Sequence, residues 1–247
     1  FHTGKNNEVN DKTIDFKQHF IKVDHNINNF TTGQIQFTYK KAYLTKHKFG
    51  INLSYLKVGD TVIKSNPKYF STPTNKILYP ELTYTLLYQN LDYIPYPSKG
   101  TAAMVNLWRI SAMGMKIMPV ARRTFYTVVA GGVLKFPFKQ PHIFADLIGY
   151  GDYNLRGYEY YVFDGDAGLV LTNAITKQLT NFKMHIPGTK WLTPRLIPLK
   201  IYGNAFVDMG YVHNPLLTGS KKNMILISGG VGLDLFTMYD FTFKLNF

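Results

Sequence analysis

The feature that most constrains this chain is a period-two alternation running through its C-terminal part. Between 197 and 211 the odd positions hold Ile197, Leu199, Ile201, Gly203, Ala205, Val207, Met209 and Tyr211, while the even ones include Lys200, Tyr202, Asn204, Phe206 and Asp208. From 224 to 237 the odd positions include Ile225, Ile227, Gly229, Val231, Leu233 and Leu235, and the even ones turn polar at Ser228, Gly230, Gly232 and Asp234. The chain then runs Phe241, Phe243, Leu245 and Phe247 against Thr242, Lys244 and Asn246. A period of two sends each set to its own side of a sheet. Further alternating runs lie near 13–24, 34–46, 49–64, 80–94, 100–113, 120–136 and 166–180, giving about ten strands in all. Turn-rich pieces at 26–33, 65–75, 95–100 and 214–223 separate them. One long irregular stretch, 137–164, interrupts the series. No linker or low-complexity segment divides residues 1–247, so a single domain is expected.

Two environments produce such strands. A soluble sandwich or barrel buries the apolar face and wets the other. A membrane barrel inverts the arrangement, with the apolar face to lipid and the polar face to a watery lumen. Three features favour inversion. The strands reach or exceed the ~9–11 residues a tilted membrane strand needs. Small residues (Gly203, Ala205, Gly229) sit on the apolar faces, where lipid tolerates them and a packed core fills poorly. Aromatics gather near strand ends, as at Tyr88, Tyr93 and Tyr96, at Tyr158, Tyr160 and Tyr161, and at Tyr239, which suits interfacial girdles.

Composition narrows the function. With 18 Tyr and 18 Phe among 247 residues the chain leans toward strands, and its mean hydropathy of -0.12 is too low for a helical membrane bundle. No cysteine is present, which removes disulfides, thiolate metal sites and a Cys nucleophile. The net charge of +13 would suit nucleic acid, but the basic residues are dispersed, with no block longer than doublets such as Lys40-Lys41, Arg122-Arg123 and Lys221-Lys222. Nucleic acid is therefore not an expected partner; anionic lipid headgroups or a basic lumen account for the charge equally well. The 7 His lie singly, and no nucleophile elbow, phosphate-binding glycine loop or zinc-binding His-Glu-x-x-His occurs. Asp164-Gly165-Asp166 reads as a turn in preference to a calcium loop. No enzyme activity and no cofactor or metal is expected.

Three segments carry a family resemblance. The run 149–158 reads Gly149, Tyr150, Gly151, Asp152, Tyr153, Asn154, Leu155, Arg156, Gly157, Tyr158. Phe206-Val207-Asp208-Met209-Gly210 follows one strand-length segment later, and Leu91-Asp92 with Pro95–Gly100 lies upstream. In this order they resemble the Arg-Gly-aromatic loop, the Phe-x-Asp-x-Gly strand and the Asp…Pro-x-x-Gly hairpin of the outer-membrane protein-insertase superfamily, the BamA-, TamA- and FhaC-like barrels also called bacterial surface antigens. The resemblance covers roughly residues 80–247. It implies an all-β, antiparallel transmembrane β-barrel in the bacterial outer membrane, with a long extracellular loop folded into the lumen.

The residue chemistry agrees independently. Asp208 shares the even face of its strand with Lys200, Tyr202, Asn204 and Phe206, and so should point inward. A guanidinium at Arg156 can grip a carboxylate with two parallel hydrogen bonds. Gly157 permits close backbone approach, and Tyr158 offers an apolar body with a polar tip. The candidate site is thus Leu155, Arg156, Gly157 and Tyr158 on the loop with Phe206, Asp208 and Gly210 on the docking strand. Phe241, Phe243, Leu245 and Phe247 resemble the C-terminal strand signal that barrel-folding machinery reads.

The chain also departs from the family pattern. About ten strands stand where the family has about sixteen, so this chain reads as part of a larger barrel or as a reduced relative. Two strands follow the docking strand where the family has three, and no POTRA domain is expected in this chain. The function implied is insertion of outer-membrane proteins through a lateral seam, with outer-membrane lipids, unfolded outer-membrane proteins, and periplasmic or lipoprotein accessory subunits as partners. A two-partner-secretion pore and a membrane anchor or pore for a fused or partner enzyme are the alternatives.

Overall fold

A computed structural model describes every residue except 71, 73, 107–109, 137, 139, 152, 186–195 and 238–240. Its main element is an antiparallel sheet of 11 strands. In spatial order these are β1 (His2–Asn6), β4 (Asn28–Ala42), β5 (Thr45–Val58), β6 (Lys76–Leu91), β7 (Gly100–Asn106), β8 (Ile110–Ala121), β9 (Thr124–Leu134), β12 (Ala167–His185), β13 (Leu196–His213), β14 (Asn223–Phe236) and β15 (Thr242–Asn246). A hairpin of β2 (Glu8–Ile14) and β3 (Lys17–Lys22), a short helix α1 (Asp60–Ser65) and a small pair, β10 (Asp146–Ile148) with β11 (Phe163–Asp164), are carried on the connections. The chain is almost entirely antiparallel β structure. Among the described residues no helix is long and apolar enough to cross a membrane, which says nothing about strands.

The alternation sorts the faces. On the outer side Ile35, Ile51 and Leu82 form one cross-strand row, each more than half exposed. One residue along, Gln34, Asn52 and Glu81 line the inner side, where the Asn52 amide donates to Glu81 at 3.1 Å. The same division holds on β12–β14: Leu171, Met209 and Ile227 face out, while Thr172, Asp208 and Ser228 face in. The sheet curves toward its inner side, for the connection between β6 and β7 reaches across to β14, where the Tyr96 hydroxyl donates to Asp234 at 2.8 Å.

The two ends of the strands differ. At one end lie short turns, at 43–44 and 122–123, with the 92–99 connection. At the other lie the long connections 7–27, 59–75, 135–166 and 214–222. These carry two apolar clusters. One joins Val9, Ile27, Val58, Val62, Tyr69 and Phe70. The second packs Leu147, Ile148, Tyr153, Leu155 and Phe163 of the long loop against Val133, Val170, Val212 and Leu226 of the sheet's inner face.

Several expected boundaries shift. The run 13–24 is split by a turn at Asp15 (φ 48) and Phe16 (φ 61), and the strand begins earlier, at Glu8. That two-residue turn has the left-handed backbone of tight hairpins but no glycine to announce it. Residues 60–64, read as strand, and Ser65, read as turn, form α1, and 28–33, read as turn, belong to β4. The expected strand 120–136 contains the β8–β9 turn, with Arg123 at φ 59. The expected strand 100–113 covers β7 and the start of β8, and residues 107–109 lie outside the described residues. About ten strands were expected, and eleven stand in the main sheet.

Candidate functional site

The long loop between β9 and β12 returns to the inner face and sets consecutive residues on consecutive features of β12–β14. Leu155 lies over Gly210, at the row Val170–Gly210–Leu226. A methyl group on Gly210 would come within 2.5 Å of Leu155 Cδ1, so this position must stay small while Leu155 is seated. Arg156 lies at the next row, Thr172–Asp208–Ser228. Its Nε donates to Asp208 Oδ2 at 2.7 Å and its Nη2 to Oδ1 at 2.5 Å, a two-pronged ion pair. The Arg156 backbone N–H adds a third contact to Oδ2 at 3.3 Å, and Nη2 also donates to the Asn173 carbonyl of β12 at 3.3 Å. Gly157 then passes over Ser228 with φ +82, a left-handed conformation that any side chain would strain. The Tyr158 hydroxyl donates to the Ile227 carbonyl at 3.2 Å, and its ring lies 5.9 Å from Phe163. One loop segment thereby holds β12, β13 and β14 together.

Burial makes this pair more than a surface contact. Asp208 is 1% exposed, and the Arg156 side chain keeps 26% of its exposure. The guanidinium carbon sits 3.9 Å from the Phe206 ring centre, so the cation is covered by an aromatic face on the side the carboxylate does not occupy. Phe206 needs space in turn: a methyl on Gly230 would approach its ring at 2.9 Å. Ser228, Gly230 and the Asn173 carbonyl were not among the expected residues. The positions of Ser228 and Gly230 on the even face of β14 were legible; their register against Asp208, and that of Asn173 on β12, was not.

The arrangement thus brings Leu155, Arg156, Gly157 and Tyr158 to Phe206, Asp208 and Gly210. It keeps Phe241, Phe243, Leu245 and Phe247 apart, exposed on or beside β15. Lys244 and Asn246 of β15 face the opposite way, into an inner cavity of about 340 Å³ that Arg156 also lines. Tyr96 projects into this cavity from the 92–99 turn, stacks on Tyr202 at 4.5 Å and meets Asp234, which also accepts from the Asn204 amide at 3.2 Å. Expected in an outer girdle, Tyr96 instead points inward, because its hydroxyl finds a buried carboxylate there. Burial and the Asp234 carboxylate both push the Tyr96 hydroxyl pKa upward, so it stays a donor. Tyr158 likewise belongs to the loop packing and not to a girdle, and Tyr239 lies outside the described residues. Asp92 closes its own turn, accepting from the Ser98 hydroxyl at 2.6 Å and the backbone N–H groups of Ser98 and Lys99.

The loop end is pinned by polar contacts as well. Asp11, fully buried, accepts from the Ser65 hydroxyl at 2.5 Å and meets His19 Nδ1 at 2.5 Å, tying the β2–β3 hairpin to α1. Burial alone would raise the Asp11 pKa, but these hydrogen bonds outweigh it and hold the carboxyl below its ordinary value. Asp164 takes the Tyr150 hydroxyl at 2.5 Å, and the buried Asp166 accepts the Gln140 N–H at 3.3 Å. These carboxylates are thus engaged by protein groups. Among the described residues no cluster of three or more His, Cys, Asp or Glu has metal-binding geometry.

With this geometry in view, the chain can be set beside known proteins. The fold resembles that of BamA. The crystal structure of BamA from Haemophilus ducreyi lacking POTRA domains 1–3 superposes with a TM-score of 0.60 at 14% identity, over 89% of this chain and 51% of that one. The chain therefore spans about half the length of that BamA structure. At this identity the likeness is one of fold. No family model and no curated protein sequence matches the chain.

Proposed function

We propose that this chain is an outer-membrane β-barrel unit of the BamA-like kind, which assists insertion of outer-membrane proteins by strand addition at a lateral seam. The observation that carries the reading is the buried two-pronged Arg156–Asp208 pair, by which a long loop grips the polar inner face of a sheet whose outer face is apolar. A loop so held braces β12–β14, next to the edge strand β15. Both edge strands, β1 and β15, expose an unpaired side among the described residues. An unfolded strand can satisfy its backbone groups on such an edge, which in lipid it must do somewhere. The partners would be outer-membrane lipids, unfolded outer-membrane proteins, and accessory periplasmic or lipoprotein subunits.

The loop end favours this reading over a steadily conducting secretion pore, since two apolar clusters fill the inner side there. The test has two stages. Purified chain in detergent should migrate faster unboiled than boiled, as folded barrels do. Vesicles containing it should then speed the folding of an added unfolded outer-membrane protein, and Arg156→Ala and Asp208→Ala should each cut that acceleration several-fold. Folded barrels of both variants with undiminished acceleration would remove the role given to the loop; steady conductance without acceleration would favour the pore.

A further inference from the structure

The positive charge of this chain is not spread evenly between its two ends. Across the long connections at 7–27, 59–75, 135–166 and 214–222, the described cations and carboxylates balance, and the strand ends beside them add Lys5, Lys57 and Lys76. At the turn end they do not. Lys40, Lys41 and Lys46 flank the β4–β5 turn, Lys99 ends the 92–99 turn, and Arg122 and Arg123 form the β8–β9 turn, with Lys183 near the end of β12. All but Lys46 are exposed, and among the described residues none of them is in an ion pair. The one described acid in these turns, Asp92, is already occupied by its own turn. Apolar and aromatic side chains stand among the cations: Tyr43 is 98% exposed, Ile94 68% and Val120 60%.

Lys46 and Lys183 stand on the inner side by register, but a basic lumen does not account for Lys99, Arg122 and Arg123 on the turns or Lys40 and Lys41 beside them, none of which lines the inner cavity. A soluble face does not explain exposed Tyr43, Ile94 and Val120 interleaved with cations. Aromatic and aliphatic groups at headgroup depth, with long cationic side chains reaching to phosphates, form the pattern of a membrane interface. We infer that the turn end is a cationic collar that binds the headgroups of anionic phospholipids in the leaflet it faces. The inference rests on the barrel reading above and adds a lipid preference to it. Each cation close to an anionic surface favours association about five-fold, an effect that salt screens.

The experiment compares the full chain in phosphatidylcholine vesicles with and without phosphatidylglycerol, reading the temperature at which the unboiled, fast-migrating form is lost. Phosphatidylglycerol should raise that temperature at low salt and less so at high salt. The combined variant Lys40→Gln, Lys41→Gln, Arg122→Gln and Arg123→Gln should stay heat-modifiable in phosphatidylcholine yet lose at least half of the rise. A control at the loop end, Lys221→Gln with Lys222→Gln, should keep it. A folded collar variant that retains the full rise overturns the collar alone. The same retention together with lost salt-sensitive binding of an acidic polypeptide such as polyglutamate overturns it in favour of a protein partner. A wild-type chain with no heat-modifiable form in either vesicle fails at the barrel reading and takes the collar down with it.

Discussion

At the residue scale the arrangement turns on how one guanidinium is satisfied. Arg156 uses Nε and Nη2 on the two oxygens of Asp208 and spends its face on Phe206, so charge, shape and aromatic cover are all met together. Removing either partner strands the other where water reaches poorly. Arg156→Ala and Asp208→Ala should each cost about 3 kcal/mol of loop-docked stability, checked by urea unfolding of detergent-folded protein. Arg156→Lys keeps the charge but cannot reproduce the fork, and should fall between wild type and alanine by the same measurement. Equal unfolding curves for the lysine variant and wild type would show that charge alone suffices. The types of these residues were legible in the sequence, since an even-face carboxylate calls for a donor. That Asn173 offers its carbonyl, and that Gly230 clears space for Phe206, depended on register between strands and was not.

At the element scale the loop behaves as a seated unit with its own apolar cluster. Gly210→Val would drive a branched side chain into the space of Leu155 Cδ1, which Leu226 and Ile148 also confine. Limited proteolysis within 137–164 should therefore become faster in Gly210→Val while the sheet itself persists. The same loop should loosen in acid. Burial lowers the His142 pKa below its ordinary 6.5, against a weaker upward pull from Asp164 and Asp11. Because the folded state prefers the neutral ring, this contribution is present above pH 6.5 and is lost progressively as pH falls below that value. Hydrogen exchange in 142–164 should rise on acidification across that window, and His142→Gln should flatten the dependence. At the turn end Tyr96 spans the inner cavity to Asp234; Tyr96→Ala should widen this mouth and raise conductance in planar bilayers, whereas Tyr96→Phe, which keeps the ring stack on Tyr202, should do so less. Two turns without a glycine were missed, and a glycine at Gly33 made the start of β4 read as a turn. Phe16 and Arg123 take positive φ, which such residues rarely do, and α1 is too short to show a helical period.

At the scale of the whole molecule, curvature and charge act together. The sheet exposes an apolar outer band, turns polar residues such as Gln34, Asn52, Glu81 and Asp208 to its inner side, and among the described residues carries unpaired outer sides at β1 and β15. A photocrosslinker placed at Leu245 on β15 should capture the C-terminal strand of an added unfolded barrel protein, and one at Leu82 in the middle of the sheet should not. Capture at both positions alike would speak against a seam.

The sequence by itself determined that long strands have one apolar and one polar face, that an arginine loop stands one strand away from an even-face aspartate, and that residues 1–247 hold no cysteine and no stretch apolar enough for a spanning helix. Those properties follow from period and residue type, which are local. Only the tertiary structure decided which rows meet across β12–β14, that Tyr96 turns inward to a carboxylate on β14, and that unbalanced positive charge collects at the turns. Each of these depends on register and on the curvature that brings distant strands face to face, and a linear pattern with a period of two is unchanged when a neighbouring strand slides by two residues.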